Sequence, residues 1–167
     1  MRNKMLIGAI VFVGLASVAY AAFAQILTIN GTGTAAGDWD VAITGITRTA
    51  ATGATDAVAP SFTGTSATFD VDLAYPGATA TYEIVVENNG SIPAILATLD
   101  GVTAANAAAP LYISYEVTGV TAGTTTLPAE TGTNTVVVTV EWDPADNTSN
   151  PAATKTATIT LNYEQDT

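Results

Sequence analysis

The sequence predicts an all-β fold: a single antiparallel β-sandwich, jelly-roll-like, that follows an N-terminal signal peptide. Three observations carry this expectation. Apolar and polar residues alternate at period two through most of the chain after residue 25. Gly, Pro, Asn and Asp break the alternation about every 8–12 residues, the spacing of short sandwich strands rather than of βαβ units. Charged residues make up only 11% of the chain, against about 25% in an average domain, and threonine, alanine and glycine take their place. Threonine is β-branched and suits a half-buried pleated surface, its hydroxyl left to water or to a cross-strand partner.

Residues 1–24 read as the leader. Arg2 and Lys4 form a positive cluster, an apolar run follows from Met5, and the small-x-small triplet Ala22-Phe23-Ala24 precedes Gln25. That order predicts cleavage between Ala24 and Gln25. Two other fates fit the same residues. The uncharged stretch from Met5 to Ala24 is long enough to stay as a membrane anchor, and a pilin-type leader would be cut before the apolar run.

Strands are expected at 26–30, 40–47, 66–75, 78–87, 92–100, 111–119, 135–142 and 155–163, with a short edge piece at 124–127. The faces follow from the alternation. Phe69, Val71, Leu73 and Tyr75 point inward, opposite Asp70 and Asp72. Tyr82, Ile84 and Val86 point inward, opposite Glu83, Val85 and Glu87. Leu111, Ile113, Tyr115 and Val117 form a third inward row, Val136, Val138, Val140 and Trp142 a fourth, and Ala157, Ile159, Leu161 and Tyr163 a fifth. A one-residue slip would turn any of these rows into water, so register is well specified. Tyr75-Pro76-Gly77-Ala78 reads as a turn with Pro second and Gly third. Asn88-Asn89-Gly90-Ser91 reads as another, with Asn-Gly supplying positive φ. Residues 104–110 read as a short helical turn or a loop.

Charge narrows the function. The chain has 4 basic and 15 acidic residues, a net −11. Loss of the leader would leave only Arg48 and Lys155 against all fifteen acids, a net −13. Such a surface repels phosphate backbones and anionic headgroups, so no nucleic-acid partner is expected, and the membrane matters only during export. Cysteine and histidine are both absent. Stability must then come from packing and ladder hydrogen bonds rather than from disulfides.

One block has a more specific character. Tyr75-Pro76-Gly77, then Tyr82-Glu83-Ile84-Val85-Val86-Glu87-Asn88-Asn89-Gly90-Ser91-Ile92-Pro93-Ala94, resembles the central motif of TasA/camelysin-like secreted proteins. The closing strands, Val138 to Asp143 and Thr158 to Gln165, and the leader junction Ala19 to Ala24 resemble that group more loosely. The resemblance implies a jelly-roll-like sandwich that polymerises into extracellular fibres, such as biofilm matrix fibres and archaeal bundling pili, with lateral bundling as a further step. It also implies assembly by donor-strand exchange, in which the N-terminal segment of one copy completes a sheet of the next. The residues are compatible with that role. Gln25, Ile26, Leu27, Thr28 and Ile29 form a β-prone arm with Leu27 and Ile29 on one face, and Gly31, Gly33 and Gly37 provide a hinge after it. The expected organisation is therefore a signal peptide at 1–24, a donor strand and hinge at 25–37, and a sandwich at 38–167. The competing reading keeps 26–30 as the first strand of its own sandwich, in a monomeric cell-surface binding domain.

The chain departs from the metallopeptidase chemistry attributed to camelysin-like proteins, because zinc peptidases need two histidines on one helix. A Ser–His pair cannot exist, and a Ser–Lys pair would have to use Lys155. The paired carboxylates Asp70/Asp72 and Glu83/Glu87 are expected on outward faces. No enzymatic activity and no cofactor are expected. Three sequons, at Asn30, Asn89 and Asn147, are candidate N-glycosylation sites. The loop from Asp143 to Asn147, with Asp146, would serve either as a weak Ca²⁺ site or as an ordinary Asx turn.

Overall fold

The computed structural model describes residues 35–146 and 155–167. The leader, the cleavage site, the arm 25–29, Gly31, Gly33 and the sequon asparagines Asn30 and Asn147 lie outside the described residues. Among the described residues, nine strands and one short helix follow one another as β1 (Val41–Thr52), β2 (Ala54–Thr63), β3 (Ser66–Leu73), β4 (Thr79–Asn88), β5 (Ala94–Asp100), α1 (Val102–Ala107), β6 (Ile113–Thr118), β7 (Thr126–Leu127), β8 (Gly132–Trp142) and β9 (Thr160–Gln165). The fold is an all-β antiparallel sandwich, as the alternation predicts.

One layer is a four-stranded sheet in the order β1-β4-β8-β6. Its register sets Tyr82 beside Val138, Ile84 beside Val136 and Tyr115 beside Val140. All six are buried, so the inward rows read from the sequence form one continuous apolar floor. The opposing layer is in two pieces, β2-β3 and β7-β5-β9. Leu96 of β5 and Leu127 of β7 are fully buried, and Ala67, Phe69, Val71, Leu73, Ala157, Ile159, Leu161 and Tyr163 pack against the same core while staying partly exposed.

The β2-β3 hairpin is fastened to the floor by one cluster. Phe69 stacks on Tyr82 with ring centroids 4.3 Å apart and planes 19° apart. The Tyr82 hydroxyl donates to Asp56 Oδ1 at 2.6 Å. Arg48 Nη1 lies 3.0 Å from the same oxygen, attracted by charge rather than by an aligned hydrogen bond.

The structure corrects several expectations. β2 has no counterpart among the expected strands. The row of β3 ends at Leu73, and Tyr75 turns outward, 49% exposed, because Tyr75 to Ala78 closes the Pro-Gly turn, with Ala78 N–H bonded to Tyr75 O at 2.9 Å and Gly77 at φ 88°. Leu111 is 72% exposed, since β6 begins only at Ile113. Residues 155–159 run outside any ladder, and β9 starts at Thr160. The helical turn exists but begins at Val102 and ends before Ala108.

Candidate assembly interface

Each sheet edge offers unpaired N–H and C=O groups to another chain unless something blunts it. The described strands leave six such edges, and four of them carry such a device. β1 is bulged twice against β4, between Ile43 and Gly45 and between Arg48 and Ala50, and its Ile43 N–H is bonded to Gly64 O at 2.8 Å. β2 is bulged twice against β3 and contains Pro60, which has no N–H to offer. β7 is two residues long and is followed by Pro128. The β6 edge is capped by side chains. Asn106 of α1 donates from Nδ2 to Tyr115 O and accepts from Tyr115 N–H, both at 2.8 Å. Lys155 Nζ donates to Pro110 O at 2.9 Å and to Ile113 O.

The two remaining edges belong to β3 and β9. Both run without a bulge of their own, since the β5–β9 irregularity puts the extra residue on β5. Among the described residues, β3 pairs only with β2, and β9 only with β5. Their places over the floor follow from side chains. β3 lies over β4, through Phe69 on Tyr82. The chain entering β9 reaches the β6 side, where Tyr115 donates its hydroxyl to Lys155 O at 2.8 Å. Further along, the Tyr163 hydroxyl accepts from Asn134 Nδ2 of β8 at 3.2 Å. Through Tyr163, β9 itself lies over β8, the strand next to β4.

Residues 37–40 are fixed at one end of the sandwich. Asp38 N–H donates to Ser91 Oγ at 2.9 Å, Ile92 N–H to Asp38 O at 3.3 Å and Asn89 N–H to Asp40 O at 2.9 Å. Gly37, the last residue assigned to the hinge, lies so close to Ile92 that a Cβ there would come within 2.7 Å of its Cδ1. The Asn-Gly turn differs from its expected geometry, because neither Asn89 nor Gly90 has positive φ. Gly90 is needed for close approach instead: a Cβ would lie 2.5 Å from Asp38 O and 2.6 Å from Asp40 N. Asn88, 1% exposed, holds the turn from inside. Its Nδ2 donates to Ile92 O at 2.8 Å and Leu127 O at 3.2 Å, and its Oδ1 accepts from Gly90 N–H at 3.0 Å. Asn89 itself is exposed on the same turn.

The other candidate groups are engaged in local structure. Asp143 Oδ1 accepts from Ala145 N–H at 2.8 Å, an Asx turn, and Asp146 Oδ2 accepts from Trp142 Nε1 at 2.9 Å. No group of three or more acidic side chains among the described residues is arranged to hold a metal ion. Asp70, Asp72 and Glu83 are exposed, and Glu87 is half-buried on the outward face. A polar pocket of about 220 Å³ lies between Glu87 and Glu130, and the buried amide of Asn88 beside it is fully bonded to backbone. The sequence offered no hint of the Asp56–Tyr82–Arg48 cluster or of Asn106. The single lysine after the leader was visible, but its place on a strand edge was not. No family model matches the chain, and no curated protein or solved structure matches it.

Proposed function

We propose that this chain is a non-enzymatic structural subunit of an extracellular filament, in which residues 25–29 of one copy enter the seam between β3 and β9 of the next. The observation that carries the proposal is the pairing of blunted and unblunted edges. β1, β2, β6 and β7 are bulged, capped, short or proline-bearing, whereas β3 and β9 run without a bulge of their own and, among the described residues, pair on one side only. A strand added there gains main-chain hydrogen bonds on both sides. Leu27 and Ile29 would face the floor beside the partly exposed Phe69, Val71, Ile159 and Leu161. The tether from Asn30 to Gly37 spans at most about 28 Å when extended, which limits how far apart successive subunits sit.

Deleting residues 25–30 from a chain that begins at Gln25 tests the proposal. The complete chain should form filaments visible by negative-stain microscopy, and the shortened one should not. A synthetic peptide of residues 25–37 should bind the shortened chain and raise its Tm. Undiminished polymerisation of the shortened chain, or a complete chain that stays monomeric at high concentration, would overturn it.

A further inference from the structure

We infer that Asn106 and Lys155 are specificity determinants of self-association: they occupy the outer edge of β6 and exclude a second copy of this chain from pairing there. The inference concerns β6 alone and stands whether or not the N-terminal arm is exchanged.

The argument begins with ladder geometry. In an antiparallel pair, alternate residues turn N–H and C=O toward the neighbour and away from it. Asn106 bonds both main-chain groups of Tyr115, and Lys155 bonds Ile113 O. Ile113, Tyr115 and Val117 therefore present their main-chain groups outward, and Ser114, Glu116 and Thr118 present theirs to β8. Three residues in a regular edge are enough to start strand pairing with a second copy. The Asn106 carboxamide reproduces what a neighbouring strand would supply at Tyr115, one donor and one acceptor 2.8 Å from each group. Lys155 sets a positive charge on the next outward carbonyl, a recognised means of keeping strands from adding to an edge. Its Nζ also reaches Pro110 O, so the ammonium is held at the corner where β6 begins.

Glu116 reinforces the exclusion. In the two-fold register that pairs Tyr115 of one copy with Val117 of another, Glu116 would lie opposite itself. Like charges directly opposite destabilise such a pair. The same β6 edge is otherwise well suited to pairing, since β6 is unbulged against β8 over its whole length and ends beside a floor of valines. Without the two caps the described residues would leave β6 as a further unblunted edge, in addition to β3 and β9.

The chain has no cysteine, so a single introduced thiol reports pairing. Glu116→Cys would bring two thiols to a non-hydrogen-bonded pair, where Cα atoms lie about 4.5 Å apart, within disulfide range. The full chain carrying Glu116→Cys should give little cross-linked dimer under mild oxidation. Adding Asn106→Ala and Lys155→Met should raise the dimer yield at least about tenfold and slow amide exchange at Tyr115 and Val117. Adding Asn106→Asp alone, which keeps an acceptor for Tyr115 N–H, should leave the yield low. If the opened variant does not fold, as judged by near-ultraviolet circular dichroism, Lys155→Met alone is tested, and it should still raise the yield several-fold. Equal cross-linking in guarded and opened chains that are both folded would overturn the inference.

Discussion

Raising the pH past 10 should destabilise this domain, and the phenols explain why. Burial raises the Tyr82 pKa, and the hydrogen bond to the Asp56 carboxylate raises it further, because a phenolate there would be dehydrated and face a second negative charge. Burial also raises Tyr115, with the Asp70 charge adding to it. Burial raises Tyr163, partly opposed by its hydrogen bond from Asn134. In all three the folded value exceeds the unfolded value of 10.0. Their contribution to stability is therefore complete below pH 10 and is lost as the pH climbs from there toward the folded values. Each phenol lowers stability by about 1.4 kcal/mol per pH unit while the pH lies between its unfolded and folded values. Lys155 works in the opposite sense. Its burial-lowered pKa offsets at most one proton, and only below its unfolded value of 10.5. Against a stability of about 5–15 kcal/mol, this loss should lower the urea midpoint progressively above pH 10. Phenolate absorbance at 295 nm and far-ultraviolet circular dichroism, followed together from pH 8 to 13, should complete their changes together. Full phenolate absorbance reached while the β-sheet signal persists would refute the reasoning.

Other outcomes follow from the same packing. Asn88→Ala leaves Ile92 O, Leu127 O and Gly90 N–H unpaired in a buried site and should cost about 2–4 kcal/mol by urea denaturation. Leu96→Ala removes a fully buried side chain and should cost about 2–5 kcal/mol, whereas Leu111→Ala, at an exposed position, should cost under about 0.5 kcal/mol. Gly90→Ala forces a Cβ onto the Asp38 and Asp40 backbone; it should lower Tm and release protection of the Asp38 amide in hydrogen exchange. Chelation with EDTA should leave Tm unchanged, because the Asp143 and Asp146 carboxylates already bond within their own turn.

The alternation made β3, β4, β6 and β8 legible, since each buries one face and register follows from burial. It failed where burial was not the cause. Residues 54–63, Ala-Thr-Asp-Ala-Val-Ala-Pro-Ser-Phe-Thr, have no clean period because β2 is an edge strand bulged twice, held by main-chain pairing with β3 and by the Asp56 carboxylate. Tyr75 and Leu111 extend the apolar rows by one step in the sequence, but turns at the strand ends carry them into solvent. Asn88 reads as a turn residue and is in fact a core residue, because its amide replaces three backbone partners at once. The edge caps at Asn106 and Lys155 were invisible for a different reason. They act across 9 and 42 positions of sequence, and no local pattern encodes which strand will be left at an edge.

The most direct test is a near-atomic reconstruction of the polymer that the chain beginning at Gln25 is proposed to form. Continuous density for Gln25 to Ile29 of one molecule, laddered to both Ser66–Leu73 and Thr160–Gln165 of the molecule beside it, is the predicted result. Density showing those five residues laddered only to their own molecule, or β3 and β9 zipped directly together, would contradict it.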